Sequence, residues 1–312
     1  MHEPIVSVLI NNHNYARFLG DAITSALSQT YPHTEVIVID DGSTDDSRQV
    51  LESFGSRITA HAQPNAGQAA AINRGFSLSH GQIVLLLDAD DTFFPEKAAE
   101  VVRVFASHPG IGWCFHPASL WHVATSKQTV PSATCPSTFI DFRQEIANAH
   151  LPTFAPATSC LCFARSLLAD LLPLPEREPT AADRYLKLGA LILSPGFFLD
   201  TPLTLQKIHD SNDYTLKPGR SRVEARSLIH AATWLRSRFP LHANLANKLF
   251  AMGLGIYRRT GGPDPHSTHL IHDYLASTPL LSHWQILLRS CYHSSRVFAP
   301  IRHWRTRHIR NP

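Results

Sequence analysis

The sequence predicts an α/β fold, with a mostly parallel central sheet, helices on both of its faces, and a helical extension at the C-terminal end. Three observations lead there. Over residues 1–90, short β-rich runs alternate with stretches of helical apolar spacing, and connections of that length are right-handed crossovers between parallel strands. The first, second and fourth strand-like runs are mainly apolar, as expected when both faces of a sheet are covered. From residue 220 onward the periodicity is helical only. A length of 312 residues with 44% hydrophobic content suits one large domain plus an appendage and excludes general disorder. We expect the α/β domain over 1–216, in two halves, 1–107 and 108–216, and the extension over 217–312.

The first strand is Ile5-Val6-Ser7-Val8-Leu9-Ile10, and it ends in the polar set Asn11-Asn12-His13-Asn14. A helix follows over 21–29, where Ala22, Ile23, Ala26 and Leu27 share a face, and Tyr31-Pro32 stops it. The second strand, Glu35-Val36-Ile37-Val38-Ile39, runs into Asp40-Asp41-Gly42-Ser43-Thr44-Asp45-Asp46. Ser43 and Asp46 have the spacing of a capping box for a helix that turns Val50, Leu51 and Phe54 inward. A third strand over 57–62, a turn at Gln63-Pro64-Asn65-Ala66-Gly67 and a helix over 68–79 lead to the fourth strand, Ile83-Val84-Leu85-Leu86-Leu87.

That fourth strand ends in Asp88-Ala89-Asp90-Asp91, three carboxylates in four positions. Such a cluster needs water or a cation, because unpaired carboxylates are costly to bury. One reading is an acidic helix start, with Thr92 as cap and Pro95 in the first turn. The other is a ligand site. Three neighbouring strands ending in polar sets imply a common pocket at the carboxyl edge of the sheet, where such folds bind ligands. Hard oxygen donors beside a nucleotide site suit Mg²⁺ or Mn²⁺.

Downstream, residues 95–107 read as a helix, 111–116 as a strand, 158–164 as a strand and 165–172 as a short helix. Residues 117–158 are rich in Pro, Ser and Thr and show little periodicity. Glu176 opens a further helix that includes Asp183, and 196–199 and 203–208 read as closing strands.

The blocks Ser7 to Asn14, Val38 to Asp45, Asn65-Ala66-Gly67-Gln68 with Asn73-Arg74-Gly75, and Leu87 to Asp91 resemble, in order and spacing, those of family 2 inverting glycosyltransferases, enzymes of the GT-A fold. The resemblance is strong over 1–107, weaker to about 212, and absent beyond. It implies a nucleotide-binding half over 1–107 and an acceptor half over 108–216. It implies that Asn11 and His13 lie where the nucleobase is held, that Asp40 bonds the base, that Asp88 lies by the ribose and that Asp90 binds the metal, Mn²⁺ or Mg²⁺. His209, in a segment resembling one that follows the acceptor region, is a further candidate for the metal or the diphosphate. Asp41 and Asp45 suit turn and cap chemistry, and Asn73 suits bracing a loop. Two positions depart from the family: Asn11 replaces a usual proline, and Ile72 an arginine.

An inverting transfer needs a carboxylate to accept the proton of the attacking hydroxyl. The Glu-Asp pair of the family falls on Thr180-Ala181, which leaves Asp183 as the candidate base, provided the helix starts late, and Glu178 as the reserve. The implied donor is a nucleotide sugar, most simply UDP-linked, and the implied acceptor a glycan or lipid-linked hydroxyl. The missing pair keeps open a catalytically inactive nucleotide-sugar-binding protein. A nucleotidyltransferase fits less well, since the N-terminal run lacks a glycine-rich phosphate loop.

Charge divides the chain. Residues 1–216 hold 13 Lys/Arg against 22 Asp/Glu, whereas 217–312 hold 15 against 3. The basic extension reads either as a helical cap on the catalytic domain or a second subunit, or as a peripheral contact with anionic membrane through 279–312. In the last helix, Trp284, Leu287, Leu288, Cys291 and Tyr292 can share a face. No nucleic-acid module accompanies the charge, so nucleic acid is not an expected partner. Five cysteines without finger spacing argue against a disulfide framework. No run reaches the ~18 apolar residues of a spanning helix, and a cytoplasmic protein is expected.

Overall fold

The computed structural model describes residues 3–130, 136–152, 156–176, 182–210, 212 and 220–295. Its first third alternates as the sequence predicts: β1 (Val6–Asn12), α1 (Ala16–Leu27), β2 (Thr34–Asp41), α2 (Ser47–Phe54), β3 (Thr59–Gln63), α3 (Gln68–Leu78) and β4 (Ile83–Asp88). There follow β5 (Thr92–Phe93), α4 (Lys97–Ser107), β6 (Trp113–Phe115), β7 (Ala118–His122), β8 (Lys127–Thr129), β9 (Thr138–Ile140), α5 (Arg143–Ala147), β10 (Leu161–Ala164), α6 (Arg165–Leu171), α7 (Ala182–Leu193), β11 (Gly196–Phe198) and β12 (Thr204–Ile208). Four helices close the described chain: α8 (Arg220–Arg238), α9 (Ala243–Arg259), α10 (Pro265–Ala276) and α11 (Leu280–Ser295).

The main sheet has eight strands in the order β3-β2-β1-β4-β10-β6-β11-β9, and a four-stranded sheet has the order β5-β12-β7-β8. From β3 to β4 all pairing is parallel, and β10 runs antiparallel between β4 and β6. Strand alternation sends Val8, Ile10, Val36, Val38, Leu85 and Leu87 to one core, with Leu19 and Ile23 of α1, Leu51 of α2 and Val101 of α4. Leu9, Ile37, Ile39, Val84 and Leu86 face the other, with Ile72, Leu168 and Leu186. Leu228, Leu235, Phe250 and Tyr274 of the C-terminal helices belong to that same core. Helix α8 seats on α7, where the Tyr185 and Trp234 rings lie 5.1 Å apart and Arg184 pairs with Glu224 at 2.8 Å.

Four local expectations are corrected. Helix α1 begins at Ala16, five residues early, because the Asp45 carboxylate accepts the Ala16 N–H at 2.9 Å from across the fold. Ser43 does not cap α2; its hydroxyl bonds Asp40. Thr92 is no cap either, since Thr92–Phe93 pairs antiparallel with β12 and delays α4 to Lys97. Among the described residues of 117–158 are three strands and a helix, each three to five residues long and mainly half-buried or exposed, too short to show a period.

Candidate active site

Register places the polar strand ends side by side. Asn11 is the cross-strand partner of Asp88, and Asn12 that of Asp40. Successive side chains alternate in direction, so each amide meets a different acid: Asn11 Nδ2 donates to Asp88 Oδ1 at 3.0 Å and Asn12 Nδ2 to Asp40 Oδ1 at 2.8 Å. Asn12 Oδ1 is buried with no hydrogen-bond partner among the described residues.

Asp41 faces the other way and is structural. Its carboxylate accepts the backbone N–H groups of Ala66 (3.0 Å) and Gly67 (2.7 Å) and the Gln63 amide (2.7 Å), fixing the turn before α3. At Gly42, φ is +75° and a Cβ would lie 2.6 Å from the Asn65 nitrogen, so only glycine fits between this turn and β2. Asp45 accepts from the Ser47 N–H and hydroxyl as well as from Ala16. Burial would raise its pKa, but the bonds from Ser47 and Ala16 outweigh that and hold it below the usual carboxylate range. His13 is exposed at the rim, with Nδ1 2.8 Å from the Asp41 carbonyl and Nε2 3.0 Å from Asn65 Nδ2.

The acids after β4 divide in a similar way. Asp88 is half-buried and accepts from Asn11 and from Gln68 Nε2 at 2.8 Å. Burial and the neighbouring Asp90 charge push it up to about 7, with a smaller push from Asp183. Asp90 Oδ2 lies 3.1 Å from His209 Nε2 and accepts from Asn212 Nδ2 at 2.9 Å. The His209 ring stacks on Phe18 at 4.4 Å, which fixes its plane. Asp91 turns inward, accepting from the Ser159 hydroxyl (2.6 Å) and the Lys207 N–H (3.1 Å). Burial, then the charges of Asp90 and Asp88, raise it well above the usual carboxylate range. Lys97 is fully buried behind it, donating to the Ser159 carbonyl at 2.6 Å and lying 3.5 Å from the centre of the Phe93 ring.

Asp183 comes from the opposite side, in the first turn of α7. Lys187, one helical turn on, donates to its Oδ2 at 2.6 Å and to the Pro156 carbonyl at 3.1 Å. Burial raises its pKa, but Lys187 and Arg184 outweigh burial and lower it overall, so the group is ionised at neutral pH. Its charge adds a small upward push on Asp88.

The fold thus gathers Asn11, Asp40, Asp88, Asp90, His209 and Asp183 at one edge, with His13 at the rim. Glu178 lies outside the described residues. Asn73 braces the Leu174 backbone through two bonds (2.8 and 2.9 Å), and Ile72 is buried in the core. A cleft of about 470 Å³ opens alongside, between the turn after β3 and Glu176. Gln68, Ser159, Lys187 and Asn212 had no role assigned from sequence; only the four-residue spacing of Asp183 and Lys187 was a readable signal. Among the described residues no group of three His, Cys, Asp or Glu forms a ready cation site. Asp90 and His209 offer one carboxylate oxygen and one imidazole nitrogen, a pair that suits Mn²⁺ or Mg²⁺ when phosphate oxygens and water fill the remaining positions.

Residues 7–156 match the model of glycosyl transferase family 2. An uncharacterised glycosyltransferase of Nostoc sp. is 33% identical over 235 residues, covering 71% of this chain and 70% of that protein. The succinoglycan biosynthesis protein ExoU of Rhizobium meliloti is 38% identical over 101 residues, 31% of this chain and 29% of that one. Among solved structures, S. aureus TarS (residues 1–349) in complex with UDP-GlcNAc superposes with a TM-score of 0.65 at 15% identity, covering 93% of this chain and 89% of that one. The mannosyltransferase PcManGT of Pyrobaculum calidifontis, in complex with GDP-Man and Mn²⁺, gives 0.52 at 16% identity, covering 94% and 88%. At these identities the structures show the shared fold, that of GT-A glycosyltransferases.

Proposed function

The chain belongs to glycosyl transferase family 2, and on that premise we propose that it moves a sugar from a nucleoside diphosphate donor, a UDP-sugar, to a hydroxyl of a glycan or lipid-linked acceptor, with inversion at the anomeric carbon. Asp40 receives the base N–H, Asn11 and His13 border the base, and Asp88 accepts from the ribose. Asp90 and His209 would hold Mn²⁺ or Mg²⁺, which would neutralise charge on the departing diphosphate. Asp183 takes the acceptor's proton as its oxygen attacks the face opposite the leaving group. Lys187 keeps that carboxylate ionised and fixed, the form a base requires.

The observation that carries this reading is the strand register that sets Asn11 beside Asp88 and Asn12 beside Asp40 at one sheet edge, with His209 3.1 Å from Asp90 there. The TarS complex with UDP-GlcNAc supports a uridine donor, and the PcManGT complex supports the metal. Relatives named for succinoglycan and teichuronic acid biosynthesis support a polysaccharide product. We place the reaction in the cytoplasm; no helix among the described residues is long and apolar enough to cross a membrane. The domain division at 216 follows from this reading, with acceptor contacts in 108–216.

A UDP-sugar turnover assay with Mn²⁺, followed by NMR of the product's anomeric centre, tests the proposal. Inversion is expected, and Asp183→Asn should lower kcat by about 10²–10³-fold with little change in the donor KM. Parental turnover by that variant moves the base elsewhere. Thr180-Ala181 in place of the family's Glu-Asp pair favours a second reading, a binding protein without transfer activity; UDP binding with no hydrolysis or transfer would support it.

A further inference from the structure

Helix α11 carries its apolar stripe on the outside. Ile286 and Ser290 face inward and are fully buried, and Gly255 of α9 packs so closely on this helix that a Cβ there would lie 2.6 Å from His293 Cβ. On the opposite face Leu281, Trp284, Leu288 and Tyr292 recur every three or four residues and are 73%, 64%, 69% and 51% exposed. Leu280 adds a 79% exposed side chain at the start. Arg236 of α8 bonds Ser277 and Thr278, so the turn carrying Leu241, 96% exposed, lies at the same end of the helical layer.

The described part of this helix carries one sign of charge: Leu280–Ser295 holds Arg289 and no acid, and in the sequence residues 296–312, outside the described residues, hold five further arginines and no acid. The nearest acids before them, Asp264 and Asp273, are engaged by Arg226 and by His269 and His272. Arg289 and Arg258 are exposed beside the stripe, Arg258 donating to Cys291 Sγ at 2.9 Å. A second copy of this surface would bring like charges together. An anionic interface offers the opposite charge, a place for Trp and Tyr rings at headgroup level, and an apolar layer for leucine side chains.

We propose that the outward face of α11 docks on an anionic lipid surface. The full-length protein should sediment with vesicles of phosphatidylcholine and phosphatidylglycerol, much less with phosphatidylcholine alone, and less as salt is raised. The double variant Trp284→Ser, Leu288→Ser should bind the mixed vesicles at least about tenfold more weakly while retaining donor turnover, which reports that it is folded. Equal binding by parent and variant, or equal binding to both vesicle types, overturns the proposal. So does a concentration-dependent dimer that the double variant abolishes and that shows no vesicle binding.

Discussion

Strands β2 and β4 both deliver aspartates to the carboxyl edge of the sheet, and the fold uses the two groups differently. After β2, Asp41 and Asp45 are neutralised locally by backbone N–H groups of the 63–67 turn, α1 and α2. After β4, Asp88, Asp90 and Asp91 crowd one another, and burial with mutual repulsion raises Asp88 and Asp91. After β2, Asp41 and Asp45 are turned into structure and Asp40 is left at the edge; after β4, Asp91 is turned inward and Asp88 and Asp90 are left at the edge. Surplus negative charge accumulates only at β4, where a cation and a diphosphate would meet. Acids satisfied by amides hold the loops; the acids left to repel one another form the proposed cation site.

This contrast can be broken by removing one acid from each group. Asp90→Ala should cause the largest loss, about 10³-fold in transfer rate, together with the Mn²⁺ dependence of UDP binding, measured by initial rates and calorimetry; retained metal dependence would assign the cation to other residues. Asp41→Ala should act on stability, because it strips three donors of their acceptor. A cost of about 2–3 kcal/mol is expected by urea denaturation, with an activity loss no greater than the unfolded fraction explains.

The smallest effect is in the pH dependence, and it should differ in sign. The depressed pKa of Asp45 contributes stability above the usual carboxylate range that is lost as pH falls through it. Asp88 is raised to about 7, so in metal-free protein its contribution is present at low pH and lost as pH rises from ~4 towards neutrality. Thermal scans should show Asp88→Asn flattening the decline on the neutral side and Asp45→Asn flattening the acid side. If the two variants flatten the same limb, the division between the two groups is wrong.

Much of this was legible in advance. The alternation of strands and helices over the first ninety residues, the polar strand ends and the helical C-terminal region all follow from local periodicity, which depends on whether a face is buried. Asp41 and Asp45 were readable as turn and cap chemistry. Asp183 lies in the first described turn of α7, and residues 177–181 before it lie outside the described residues. What could not be read were partners far apart in the chain: the cap on α1 from Asp45, the hold of Ser159 on Asp91, and the reach of Asn212 to Asp90 across 122 residues. The short strands between 118 and 140 were also hidden, since three to five half-exposed residues leave no periodic trace.

The sequence by itself determined the fold class, the carboxyl edge as the site and the set of acids available there, because burial patterns and strand-end chemistry are local. Only the tertiary structure decided which partners each acid has. Register pairs Asn11 with Asp88 and Asn12 with Asp40, α7 sets the Asp183 carboxylate on Lys187, and packing of α9 against the inner face of α11 leaves the other face exposed. The register and the packing depend on distances between elements that no local pattern encodes.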